Sequence, residues 1–176
     1  MKNIILIIAS AATLLLSSCS TQSYMEPTAI NTVVEQSEFN FNAKSALPTN
    51  IDVLNVMNSL PGTTSNRITT LDSGYGFELK TGKFEVILPY FGRLYNPSLG
   101  DLNKNSFRFE STDFKVSKTK NKKGNWIVTI NVNDKQNMPT FILEIFKTGS
   151  AFLSVSANDR QPISYDGYIS NLSAEK

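Results

Sequence analysis

Cys19 is the single thiol of the 176-residue sequence, and its neighbours decide what chemistry it can do. It closes the run Leu16-Ser17-Ser18-Cys19, behind an apolar stretch from Ile4 to Leu16 and one early charge, Lys2. That stretch is well short of the ~20 apolar residues needed for a stable span. A basic start, a short apolar segment and small residues after it describe a secretory signal. The last four residues look like a lipobox, in which small side chains fit a narrow peptidase pocket and the thiol is alkylated by a diacylglycerol group. The expectation is a signal peptide over 1–18 and a lipid on Cys19. Lone in the chain, Cys19 has no intramolecular disulfide partner. Acyl burial is worth about 0.8 kcal/mol per CH₂, so two or three chains anchor a protein stably.

There is no histidine. With Cys19 given to lipid, the common zinc and copper ligands are missing, and so are the Ser-His-Asp and Cys-His designs. No metal and no cofactor is expected, and an enzyme is the less favoured reading. Carboxylates remain, among them Asp101, Glu110, Asp113 and Asp166. A glycosidase would need two of them about 5–9.5 Å apart in a cleft, and nothing in their spacing selects a pair. The net charge of +2 gives no field to gather nucleic acid. Lys118, Lys120, Lys122 and Lys123 offer an anion or glycan contact, but read first as a solvated hairpin turn.

Two segments depart from plain alternation. In Leu88-Pro89-Tyr90-Phe91-Gly92-Arg93-Leu94-Tyr95-Asn96-Pro97, Pro89 has no N–H for a ladder, so pairing should stop there. Tyr90, Phe91 and Tyr95 around Arg93 form either an aromatic and guanidinium platform for a sugar, a peptide end or an anion, or a plug for one end of the fold. In the plug, Arg93 would be satisfied by a carboxylate. The second segment runs from Ser156 to Ile169 and carries Arg160, Tyr165 and Tyr168. Arg160 is placed to pair with Asp159 or Asp166, and a two-residue Asn158-Asp159 turn would set Phe152 opposite Tyr165. The candidate binding residues are Tyr90, Phe91, Arg93, Tyr95, Arg160 and Tyr165, with packing the plainer role for each.

The elements that must position these side chains are mostly strands. Residues 19–37 are polar, contain Pro27 and read as a flexible tether, roughly 60 Å long if fully extended. Phe39 and Phe41 open a first short strand. Ile51 to Leu60 carries a helical apolar stripe, stopped by Pro61-Gly62. From Arg67 the period is two. A Thr81-Gly82 turn would oppose Phe77 to Val86, Leu79 to Phe84 and Tyr75 to Leu88 on one face. The other face would oppose Glu78 to Glu85 and Lys80 to Lys83, with ion pairs along the diagonals. Between Ser111 and Asp113 the apolar phase switches from odd to even, which demands a bulge, bend or turn. Trp126, Val128, Ile130 and Val132 alternate cleanly. Phe141–Phe146 and Ala151–Val155 are apolar in both phases, as in strands covered on both sides. A last strand covers Ile163 to Ile169. The fold class is mainly β, an antiparallel meander forming a curved sandwich or barrel with one short helix, in one domain over 38–170 with 171–176 frayed.

The two segments quoted above resemble signature stretches of the domain of unknown function 4251 family of exported Bacteroidetes lipoproteins. Asn103 to Phe109 and Lys122-Lys123-Gly124-Asn125-Trp126 are also similar, so the likeness covers roughly Phe39 to Ile169. Asn50–Asn66 is longer than the family pattern. The resemblance implies an envelope location and a β-rich fold, and no activity. The expected protein is thus an envelope-anchored lipoprotein at the outer membrane, on its periplasmic or surface face. It would act as a non-enzymatic binding or accessory module for an envelope protein, peptide or glycan. The alternatives are a lipocalin-like small-ligand carrier and, behind it, a carboxylate-based hydrolase.

Overall fold

The Thr81-Gly82 turn, with Gly82 at φ 77°, joins β2 (Gly76–Lys80) to β3 (Lys83–Leu88). Phe77 faces Val86, Leu79 faces Phe84, Glu78 faces Glu85 and Lys80 faces Lys83, the register predicted from alternation. This computed structural model describes residues 22–49, 55, 59, 69–95 and 105–172. The helix expected over Ile51–Leu60 lies almost wholly outside the described residues.

The remaining strands are β1 (Phe39–Pro48), β4 (Phe107–Ser111), β5 (Phe114–Lys120), β6 (Trp126–Val132), β7 (Thr140–Ile145), β8 (Ser150–Ala157) and β9 (Arg160–Ser170). They form one nine-stranded antiparallel sheet in the order β4-β3-β2-β1-β9-β8-β7-β6-β5. Each step reverses direction, so β4 and β5, at opposite edges, run the same way. They are also consecutive in sequence, separated by Thr112-Asp113. Together they are one bent strand that leaves β3 and continues beside β6, which nearly closes the sheet into a barrel.

The phase switch falls at this bend. Buried Ser111 donates its hydroxyl to Asp134 Oδ1 at 2.6 Å, and Asn133 N–H donates to Asp113 O at 2.9 Å. Burial tends to raise the Asp134 pKa, but the Ser111 and Lys135 hydrogen bonds outweigh it and hold the carboxyl below its ordinary range.

Phenylalanine rings fill the interior. Phe84 lies 5.2 Å from Phe77, 5.1 Å from Phe141 and 5.8 Å from Phe114, centroid to centroid. Phe39, Phe41, Phe84, Phe107 and Phe141 are all fully buried. Burial of each such side chain is worth about 1.5–3 kcal/mol, and the tilted and edge-on contacts add to that.

Four expectations need correction. Residues 27–36 form helix α1 (Pro27–Gln36), not tether. Pro27 sits in its first turn, where a missing N–H costs nothing, and Ser37 ends it in the left-handed region. Ile30 and Val34 are buried, Val33 packs beside them, and this short stripe seats α1 on one end of the barrel. Part of the lysine cluster serves this docking. Lys118 donates to Glu35 O and Ser37 Oγ, while Lys120 and Trp126 Nε1 both donate to Asn31 Oδ1.

Tyr75 leaves the inner face and is 36% exposed, because Gly74 and Gly76 at φ 101° and 155° redirect the chain before β2. Strands β7 and β8 are covered on one face only: Ile142 and Phe146 are exposed, opposite in phase to buried Phe141, Leu143 and Ile145. On the outer face of β2 and β3, ion pairs run along each strand, not along the diagonals. Lys80 meets Glu78 at 2.8 Å and Lys83 meets Glu85 at 3.0 Å. Lys83 also reaches Glu110 on β4 at 3.2 Å, since Glu110 faces Glu85. These two carboxylates raise the Lys83 pKa.

Candidate binding surface at one end of the barrel

β3 stops at Leu88, as Pro89 requires, and the chain folds over the end of the barrel opposite α1. There it meets the start of β9. Gln161 N–H donates to Arg93 O at 3.0 Å, and Tyr95 N–H donates to Asp159 O at 2.8 Å, around a Leu94–Arg160 bridge. Tyr90 turns inward, and its hydroxyl is shared between the carbonyls of Arg93 (3.0 Å) and Gln161 (2.9 Å). The ring lies over Gly92, where a Cβ would collide with it.

The buried cation at this end is Arg160, 3% exposed. Its Nη2 lies 2.8 Å from Asp159 Oδ2, its Nε donates to Asp159 Oδ1 at 3.0 Å, and its Nη1 donates to Asn105 O at 3.1 Å. The guanidinium lies 4.6 Å from the Phe107 ring centroid and 5.0 Å from that of Tyr90. This fork geometry with two aromatic faces suits arginine and not lysine. Burial pushes the Asp159 carboxyl up, but the Arg160 hydrogen bonds and charge outweigh it and hold the pKa below the usual range. The Tyr90 phenol is raised by burial, which prevails over the opposing pull of Arg160.

Tyr165 is fully buried and donates its hydroxyl to Pro89 O at 2.6 Å, tying the first segment to the second. Burial drives its pKa far above the ordinary phenol value. Its neighbour across the strands is Leu153, and Phe152 faces Asp166 instead. The expected register is off by one because a bulge lies between Val155 and Ala157, an irregularity that periodicity alone does not place.

The candidate residues therefore separate. Tyr90, Arg160 and Tyr165 spend their polar atoms on partners within the barrel end, and Phe91 is half-buried against the core. Arg93 keeps its side chain without a polar partner among the described residues, so the carboxylate expected for it belongs to Arg160. Tyr95 is 56% exposed on a backbone clamped by Asp159. Sequence reasoning missed Phe107 and Asn105, which hold Arg160 from 55 and fewer residues away in the chain.

Among the described residues the hydrolase carboxylates have separate surroundings. Glu110 pairs with Lys83, Asp113 accepts from Asn133 Nδ2 at 3.1 Å, Asp166 lies on β9, and Asp101 is outside the described residues. Among the described residues no group of three or more His, Cys, Asp or Glu could hold a metal. A concavity of ≈ 230 Å³ lies elsewhere, on the outer face of β1–β3 between Asn40, Asn42, Tyr75, Glu78 and Glu85.

Barrel, end plug and buried arginine together define a small β-barrel domain with aromatic closure of one end. The chain belongs to the family described as Domain of unknown function (DUF4251), whose model matches residues 21–169. Among solved structures it is similar to a DUF4251 family protein from Bacteroides eggerthii DSM 20697, with a TM-score of 0.50 and 10% identity over 82% of this chain and 87% of that one. At that identity the likeness concerns the fold. No curated protein matches.

Proposed function

We propose that the protein is an envelope lipoprotein, held through a lipid on Cys19, whose barrel is a non-enzymatic binding or accessory module. Its contact surface would be centred on Arg93 and Tyr95. The observation that carries this reading is the exposed Tyr95, two residues from an exposed Arg93 whose side chain has no polar partner among the described residues, on a segment whose backbone is fixed to β9. An aromatic face with a free guanidinium suits a sugar ring, a peptide carboxylate or another anionic group. The phenylalanine-filled interior weighs against a carrier with a central cavity.

A photo-reactive phenylalanine analogue at position 95, introduced in the exporting bacterium, tests this. A discrete adduct that disappears with Arg93→Ala supports the reading. Adducts no stronger than those from the same analogue at Asn131, on the barrel wall, would remove it.

A further inference from the structure

The chain is pinned to the barrel almost as soon as it leaves Cys19. Tyr24 N–H donates to Thr148 O at 2.7 Å, and Met25 packs against Gly149, where a Cβ would meet the Met25 backbone at 3.0 Å. The Tyr24 ring stacks on Tyr168 at 4.4 Å, and Lys44 Nζ bonds its hydroxyl at 2.6 Å. Only Ser20 and Thr21 separate Cys19 from described residue Gln22. The first residue bonded to the barrel is Tyr24, five Cα–Cα steps of 3.8 Å from Cys19, which span ~19 Å at most. A lipid on Cys19 therefore keeps this end of the barrel close to a bilayer surface.

Thr148 lies in the β7–β8 turn, and the β5–β6 turn is beside it, with the Lys147 side chain against Gly124. Lys122, Lys123 and Lys147 are exposed on these turns, and none forms an ion pair among the described residues. Phe146, next to Lys147, is 36% exposed. The β5–β6 turn is rigid: Asn121 Oδ1 accepts from the backbones of Lys123 and Asn125, and both asparagine amides donate to Glu144. Glu26 follows Met25, which packs on the β7–β8 turn, so one carboxylate borders the three lysines, while Glu35 and Glu38 lie at the far end of α1 and just beyond it. Each lysine near an anionic lipid surface gains electrostatic attraction that fades within a Debye length.

We infer that the barrel lies directly on the lipid surface through this end, with Lys122, Lys123 and Lys147 against anionic headgroups and the Arg93–Tyr95 end turned away. The inference rests on the lipid-anchor reading, yet it can be tested apart from it. The chain from Cys19 onward, which contains every described residue, is coupled through its single thiol to maleimide lipids in vesicles. Lysine acetylation is then read by mass spectrometry. The expected result is that Lys122, Lys123 and Lys147 are modified several-fold more slowly on phosphatidylglycerol vesicles than on phosphatidylcholine vesicles. Lys115 and Lys135, toward the opposite end, should be unaffected, and a long Gly-Ser spacer after Cys19 should relax the protection. Equal protection of all five lysines, or protection of Lys115 and Lys135 alone, would overturn the inference. Absence of lipid on Cys19 in the protein isolated from cells would instead remove the anchor reading and leave the vesicle result intact.

Discussion

The Arg160 guanidinium sits 4.6 Å from the Phe107 ring centroid, so the first residue of β4 forms one wall of the pocket that holds the first residue of β9. With Asp159 and Tyr90 on its other sides, this cation locks two distant segments over the barrel end. Arg160→Ala should cost about 3 kcal/mol in urea unfolding, at the low end for a broken buried pair because Asp159 is 30% exposed. Arg160→Lys should recover little of it, since an ammonium cannot reproduce the fork. A loss within experimental error would mean that the ion pair is incidental.

Asp159 sets a pH dependence. Its pKa is lowered in the folded state, so between the folded and unfolded values the unfolded chain binds more protons and stability rises with pH. The contribution is complete above the ordinary carboxylate pKa of ~3.9 and is lost as pH falls through the lowered value. Asp159→Asn should flatten the acid side of the stability curve, measured by thermal melts across an acid series.

Tyr165→Phe removes the hydroxyl donor to Pro89 O and with it the part-buried bond between the two segments. It should destabilise by about 1–3 kcal/mol. In an alkaline absorbance titration the wild type should retain one phenol that ionises only as the fold is lost, and the variant should lack it.

Helix α1 provides a clean contrast between tether and domain. Ile30→Ala should cost about 2–4 kcal/mol, because Ile30 belongs to the same core as Phe39 and Leu79. The exposed Thr28→Ala should cost far less. Equal, negligible effects would return residues 27–36 to a tether.

The strand pairing of β2 and β3 was legible because a two-residue Thr81-Gly82 turn fixes the register, and that register puts Phe77 and Phe84 on the same face. The kink at Thr112-Asp113 was legible as a phase switch, though not as the place where the sheet nearly closes, since that depends on which strands lie at the edges. Helix α1 was hidden by its length: Ile30, Val33 and Val34 are too few to outweigh polar neighbours, and Pro27 reads as a breaker or a starter equally well. Arg160 was visible as a candidate and Asp159 as its partner. Phe107 and Asn105 were not, because tertiary contacts across the barrel end leave no local pattern. The same ambiguity made Arg93 and Arg160 look alike, although one is buried and the other is not.

The division of the barrel end into a structural part and a contact part is tested most directly by pairing stability with capture from envelope extract, using Arg93→Ala/Tyr95→Ala beside Arg160→Ala. The double variant should unfold within about 0.5 kcal/mol of wild type, as surface changes do, while losing the captured component. Arg160→Ala should lose about 3 kcal/mol. A double variant as unstable as Arg160→Ala, or one that retains the captured component in full, would contradict the account.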